Sequence, residues 1–303
     1  MNIFRTYKSN LFLNLLLVYI VWGSTYLGVK IGIKELSPMF LTSLRFLGGG
    51  VLLFIFTLFV SGLPKFKEAK GSIFIGILLT GFGTTAVSYG IKYIPSGVVA
   101  LLVALLPIWT FLLDFFFFSK KGPSKLAASG MLLGLCGVLL LFNPFKQGDD
   151  AGLTQVFPIL VIFLGSIAWG LGSLLTTRIT QSKGLTGVSL QMMAGGFVAL
   201  LASFIFENNH IESLKNIHLE TIGALTYLIL IGSYVGYTAY IWLINNAPPL
   251  LTSSYAYANP VVAMILGYYL ADEELSTMSA MAGVLILIGV VFMTLGRKKK
   301  GEF

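Results

Sequence analysis

Residues able to bind or transfer anything are few in this chain, and most stand inside apolar runs. Tyr19, Trp22, Tyr26 and Lys30 recur at three- and four-residue spacing, which puts them on one face of a helix. Ser166, Trp169, Ser173 and Thr177 form an equivalent face further along, and Thr252, Ser253, Ser254, Tyr255, Tyr257 and Asn259 crowd in just ahead of Pro260. Arg45 and Asp114 are the arginine and the acid that fall within apolar runs. Hydroxyls, indoles, an amide and a guanidinium hold a solute by hydrogen bonds, ring faces and charge. They do not pair a nucleophile with a base. The two histidines, His210 and His218, share a polar interval that has no cysteine or carboxylate at metal-ligand spacing. Phosphate-binding loops, nucleophile elbows and ATPase signatures do not occur. The reading is therefore of a chain that is not an enzyme and carries no cofactor or metal.

The elements that must position these groups are membrane spans. The 303 residues are 56% hydrophobic and 11% charged, with a mean hydropathy of +0.88, which is far too apolar for a soluble domain. The single cysteine, Cys136, excludes an internal disulfide. A net charge of +8 does not point to nucleic acid, because the basic residues sit in short clusters between apolar runs. Counting spans of about twenty apolar residues predicts an all-α membrane protein with ten transmembrane helices. The first apolar run is too long for a signal peptide and lacks a small-residue cleavage site, so it reads as a retained helix. Most lysines and arginines, among them Lys65, Lys67, Lys70, Lys120, Lys121, Lys125 and Arg178, fall on the same side as both ends of the chain. That bias predicts a multi-pass cell-membrane protein with cytoplasmic termini.

The chain also repeats itself. Trp22-Gly23 recurs as Trp169-Gly170, Gly49 as Gly196, Gly83 as Gly236, Thr85 as Thr238 and Gly130 as Gly283, while Pro95 and Pro107 fall on Pro248 and Pro260. The predicted organisation is a leader (1–10), a first five-helix repeat (11–143), an outer linker (144–155), a second five-helix repeat (156–296) and a basic tail (297–303). Five spans per repeat is an odd number, so the second repeat is expected upside down relative to the first. A proline inside a span frees a carbonyl, which hydrocarbon tolerates only where protein or cavity water replaces the missing bond. Pro107 and Pro260 are thus the expected helix breaks or gates. Inverted repeats with broken helices place a solute near the midplane between the repeats. The polar residues ahead of Pro260 should face protein or water, since facing lipid would be costly.

The stretches WGSTYLGVK, SPMFLTSLRF and SYGIKYIPSGVVALLVALLP, echoed in NPVVAMILGYYLADEELS, resemble the EamA-type drug/metabolite transporter family from about Leu11 to Gly296. The resemblance implies a ten-helix inverted repeat and export of small metabolites, amino acids or toxic compounds. The chain departs from the family pattern after the fourth span, where Lys120 and Lys121 stand in place of the acidic residues seen as Glu273 and Glu274 after the ninth. Substrate-binding candidates are Trp22, Tyr26, Arg45, Ser88, Trp169, Tyr255, Tyr257 and Asn259. Against each stands a structural role: hydroxyls bonding their own helix, aromatics packing, and an arginine reaching headgroups or freed carbonyls. Asp114 is the candidate for proton coupling, against an ion pair with nearby Lys120 or Lys121. The expected partners are a small-molecule substrate, the lipid bilayer, protons or an exchanged solute, and a second copy of the chain, but not nucleic acid. An uptake carrier or exchanger for phosphorylated or nucleotide-linked solutes is the alternative transport reading. A non-transporting scaffold is the alternative outside transport.

Overall fold

The computed structural model describes residues 2–93, 99, 102–120, 122–142, 156–208, 210–215, 217–270 and 277–296. Pro95, Lys121, Glu273, Glu274, the linker 144–155 and the tail 297–303 lie outside the described residues. Every described element is helical: α1 (Asn2–Gly32), α2 (Pro38–Ser61), α3 (Phe66–Tyr93), α4 (Leu102–Ser119), α5 (Lys125–Phe142), α6 (Val156–Thr176), α7 (Gly184–Phe206), α8 (His210–Lys215), α9 (Leu219–Asn246), α10 (Pro249–Thr252), α11 (Tyr255–Leu270) and α12 (Thr277–Leu295). Seven of them are long and apolar enough to cross a membrane, and shorter apolar helices occupy Lys125–Gly137 and Met281–Met293.

Outward faces are lined by Phe12, Phe56, Phe59, Leu164, Phe204 and Ile205, all exposed, while hydroxyls, glycines and Arg45 turn inward. This reverses the soluble pattern, as a hydrocarbon solvent requires. Small residues then let the helices approach. A β-carbon on Gly130 of α5 would lie 2.6 Å from the Gly289 carbonyl oxygen of α12, and one on Gly289 would lie 2.7 Å from the Gly130 carbonyl oxygen. This close crossing is a glycine seam between the two segments.

Three features set the shape of the interior. First, α3 and α9 each carry a π-helical stretch, at Ile77–Thr84 and Leu228–Val235. The wider turn frees backbone carbonyls for partners outside the helix. Second, the chain turns at Leu105 just ahead of the α4 segment Leu106–Leu113, so Pro107 sits in a first turn, where its missing N–H costs nothing. Pro260 behaves otherwise. It lies inside the continuous helix α11, and the break comes earlier, at Ser253–Ser254 between α10 and α11. The break expected at Pro260 is displaced because Ser253 and Ser254 bond the carbonyls of Leu250 (3.1 Å) and Leu251 (2.6 Å), satisfying groups that an interrupted helix leaves open.

Third, Glu207, at the end of α7 and 5% exposed, accepts hydrogen bonds from the backbone N–H groups of Met39 (2.9 Å) and Phe40 (3.0 Å). The Ser203 hydroxyl donates to the same carboxylate at 2.7 Å. A carboxylate at a helix N-terminus satisfies orphan donors and complements the dipole. Glu207 thereby fixes the start of α2, and with it the height of Arg45 two turns further on.

Candidate functional site

Two cavities lie end to end inside the helices. The first has a volume of about 140 Å³. It draws its walls from the C-terminal half of α1 (Trp22, Thr25, Tyr26, Val29), from α2 (Thr42, Arg45), α3 (Gly83, Ser88), α6 (Ser166, Trp169), α9 (Gly232, Tyr237) and α11 (Tyr255, Asn259). The second, about 570 Å³, lies toward the other end of the helices, among Asp114 of α4, Ser173 of α6 with Thr177 and Arg178 just beyond it, Tyr240 of α9 and Thr252 of α10.

Four rings close the space between them. Trp22 meets Trp169 edge to face at 5.5 Å between centroids and Tyr255 edge to face at 4.8 Å. Tyr240 lies 4.8 Å from Trp22, 5.5 Å from Trp169 and 5.5 Å from Tyr255. Edge-to-face pairs at these separations gain from the ring quadrupoles beyond their buried area. Polar atoms lock the arrangement: the Trp169 indole N–H donates to the Tyr240 hydroxyl at 2.7 Å, and the Tyr240 and Ser173 hydroxyls are 2.5 Å apart. The Trp22 indole N–H donates at 3.1 Å to the carbonyl of Gly232, inside the π-helical stretch of α9.

The same stretch holds the arginine. Arg45 is 7% exposed, its Nε donates to the Ser233 hydroxyl at 2.8 Å, and its guanidinium carbon sits 4.7 Å from the centre of its neighbour's ring, Phe46. A β-carbon on Gly232 would come 2.8 Å from Arg45 Nη2, so the missing side chain leaves room for the fork. Among the described residues the ion pairs are Arg178–Asp114 and His218–Glu35, and Arg45 joins neither. No acid lines the first cavity among the described residues.

The sequence model of the EamA-like transporter family matches residues 10–143 and again 156–295. The chain belongs to the EamA-like transporter family. It is 36% identical over 289 residues to the uncharacterized inner membrane transporter YedA of Escherichia coli K12, covering 95% of this chain and 91% of that one. It is 26% identical to a probable amino-acid metabolite efflux pump of Salmonella typhimurium LT2, covering 93% of each chain. A crystal structure superposes with a TM-score of 0.75 at 18% identity over 95% of this chain and 97% of that one, a likeness of fold. Family and relatives identify a membrane transporter rather than an enzyme.

Within this EamA-like chain, seven of the eight predicted binding residues, all but Tyr257, line the first cavity. Ser88 is held there by a 2.6 Å bond to Thr42. Tyr257 lies elsewhere: it is fully buried, its ring would collide with a β-carbon on Gly134 of α5, and its hydroxyl has no hydrogen-bond partner among the described residues. Helical phase explains the difference, since two residues beyond Tyr255 is just over half a turn away, on the opposite face. Among the described residues Asp114 is paired with Arg178 at 2.9 Å and not with Lys120, because α4 packs against α6 and brings the arginine alongside, while Lys121 lies outside the described residues. Tyr237, Tyr240 and Ser233 were missed, although Tyr237 and Tyr240 show in sequence the same spacing that marks the α1 face.

Proposed function

We propose that this protein is a secondary transporter that exports small organic solutes by alternating access. Ten helices would be arranged as two inverted five-helix repeats with both termini in the cytoplasm. The observation that carries this reading is the pair of cavities separated by one closure of four rings, Trp22, Trp169, Tyr240 and Tyr255. Trp22 and Trp169 are repeat-related, and each packs on a repeat-related glycine of the opposite half, Gly236 and Gly83. Such reciprocal contacts are what an inverted duplication builds at its pseudo-two-fold axis. In the proposed topology the first cavity faces outward and the second faces the cytoplasm. A solute bound at the rings would pass from one to the other as the halves rock, closing the Asp114–Arg178 end when the outer end is open and releasing it in exchange. The name of the Salmonella relative supports the outward direction and a substrate drawn from metabolites.

Overexpression in bacterial cells, compared with an empty vector and with a Trp169→Ala variant, tests the reading. The expected result is a lower intracellular and higher extracellular level of a defined set of metabolites, with raised tolerance to their toxic analogues. Unchanged pools and tolerance across a broad panel, with the protein present in the membrane, contradict it. Accumulation inside the cell instead would establish uptake.

A further inference from the structure

We infer that the first cavity selects organic monoanions, a carboxylate on a small apolar or aromatic body, over cations and over zwitterions. This rests on the proposed transport through that cavity and adds the class of solute. Three observations carry it.

A guanidinium nine-tenths buried in an apolar setting normally has an acid beside it, because an uncompensated charge there is costly. Arg45 is that buried, and among the described residues the hydrogen bond of its fork is Nε to the Ser233 hydroxyl, which leaves Nη1 and Nη2 for a ligand. The two Nη atoms form the edge that grips a carboxylate with two parallel bonds. They stand at the cavity wall beside Gly232 and Thr25, with no side chain from Gly232 to cover them.

The remainder of the wall suits an apolar body. Trp22, Trp169, Tyr237 and Tyr255 offer ring faces, while Leu41, Val87 and Ile91 offer aliphatic contact. A strongly hydrated inorganic anion gains nothing from these surfaces, whereas a phenyl or alkyl group is desolvated by them. The charges are also one-sided. Arg45 is the charged residue among those lining the cavity, so an ammonium group would meet a like charge with no carboxylate to offset it. Lys30 and Lys92, at the same end of the protein, are exposed and outside the lining.

The test uses purified full-length protein in phosphatidylcholine nanodiscs, so that no anionic headgroup competes, with a Trp109→Phe, Trp242→Phe background in which the fluorescence of Trp22 and Trp169 is the reporter. Four matched probes are titrated: phenylacetate, 2-phenylethylamine, phenylalanine and acetate. The expected result is saturable binding of phenylacetate at least tenfold tighter than of the other three, weakened at least tenfold by Arg45→Met and less by Arg45→Lys. Should Arg45→Met fail to fold, Gly232→Ala decides. It keeps the charge but puts a methyl group where the fork lies, and it should weaken phenylacetate at least tenfold while leaving 2-phenylethylamine unchanged. Equal or tighter binding of the amine or of phenylalanine, acetate binding as tightly as phenylacetate, phenylacetate affinity unchanged in the deciding variant, or no saturable phenylacetate binding each overturns the inference. Flux in proteoliposomes separates this from the transport reading. The expected binding order without protein-dependent flux refutes transport and leaves the anion site standing, whereas flux of the amine in preference to the carboxylate does the reverse.

Discussion

Trp22 and Trp169 meet edge to face at 5.5 Å, and each is seated on a glycine from the other half of the chain. A β-carbon on Gly236 would lie 2.6 Å from the Trp22 indole nitrogen, and one on Gly83 would lie 2.6 Å from Trp169 Cε3. The closure between the cavities is thus clamped from both sides by backbone that has no side chain to yield.

Gly83→Ala and Gly236→Ala should each force a ring out of place. Inserting a methyl group into so tight a contact costs about 1–3 kcal/mol. Both variants should reach the membrane with lowered thermal stability and with transport reduced by a similar factor, because the two sites are related by the repeat. Flux measured beside melting temperature checks this. A large loss in one variant and none in the other would show that the clamp works on one side only.

Tyr240→Phe removes the hydroxyl that accepts from Trp169 and pairs with Ser173, leaving the ring in place. A lost hydrogen bond of this kind is worth about 0.5–1.5 kcal/mol, or a factor of up to about ten in the balance of open and closed forms. The expected outcome is a raised passive leak of solute in proteoliposomes at near-normal stability. An unchanged leak would mean that the rings alone hold the closure.

Asp114 and Arg178 are 20% and 33% exposed, so their 2.9 Å pair contributes under about 1 kcal/mol to stability. Asp114→Asn should leave the fold intact and the pH dependence of flux unchanged, while shifting the fraction of molecules open at that end. Loss of the pH dependence would make Asp114 the proton carrier that its place in an apolar run first indicated.

Outside the spans, Glu35 caps the segment leading into α9. The backbone N–H of His218 donates to it at 2.9 Å, and the Thr221 hydroxyl and the His218 ring add further bonds, so its carboxyl is pulled down to about 2 from 4.5. A carboxylate whose folded pKa is depressed stabilises fully above its unfolded pKa, and that stabilisation fades as pH falls through the folded one. The melting temperature of the wild type should therefore fall between about pH 4.5 and 2 by more than that of Glu35→Gln, which starts lower. Parallel acid profiles would show that the contact does not persist in solution.

Much of the site was legible because hydrocarbon makes inward polar residues conspicuous. Trp22, Tyr26, Ser88, Trp169 and Arg45 stand out as polar or amphipathic groups in apolar runs, and the structure gathers them around one cavity. What escaped depends on backbone that a residue pattern does not display. The π-helical stretches of α3 and α9 follow from helix-to-helix packing rather than from any marker residue, yet the one in α9 supplies Gly232 and Ser233 to Trp22 and Arg45. Pro260 differs for a related reason: proline removes one donor without parting its helix, and the helix parts instead where the Ser253 and Ser254 hydroxyls satisfy the carbonyls of Leu250 and Leu251. Glu207 stands in the sequence at the edge of an apolar run, where nothing marks it, and its role at the start of α2 depends on a contact between distant segments.

The account stands or falls on solute crossing through the first cavity. With Cys136→Ala as background, a Ser88→Cys variant places the one thiol of the protein on that wall. Treatment of intact cells with an impermeant thiol reagent should stop efflux of the exported solute completely, and saturating solute should slow the labelling. Full labelling with unchanged efflux, or no labelling from either side of the membrane while transport proceeds, would contradict a pathway through this cavity.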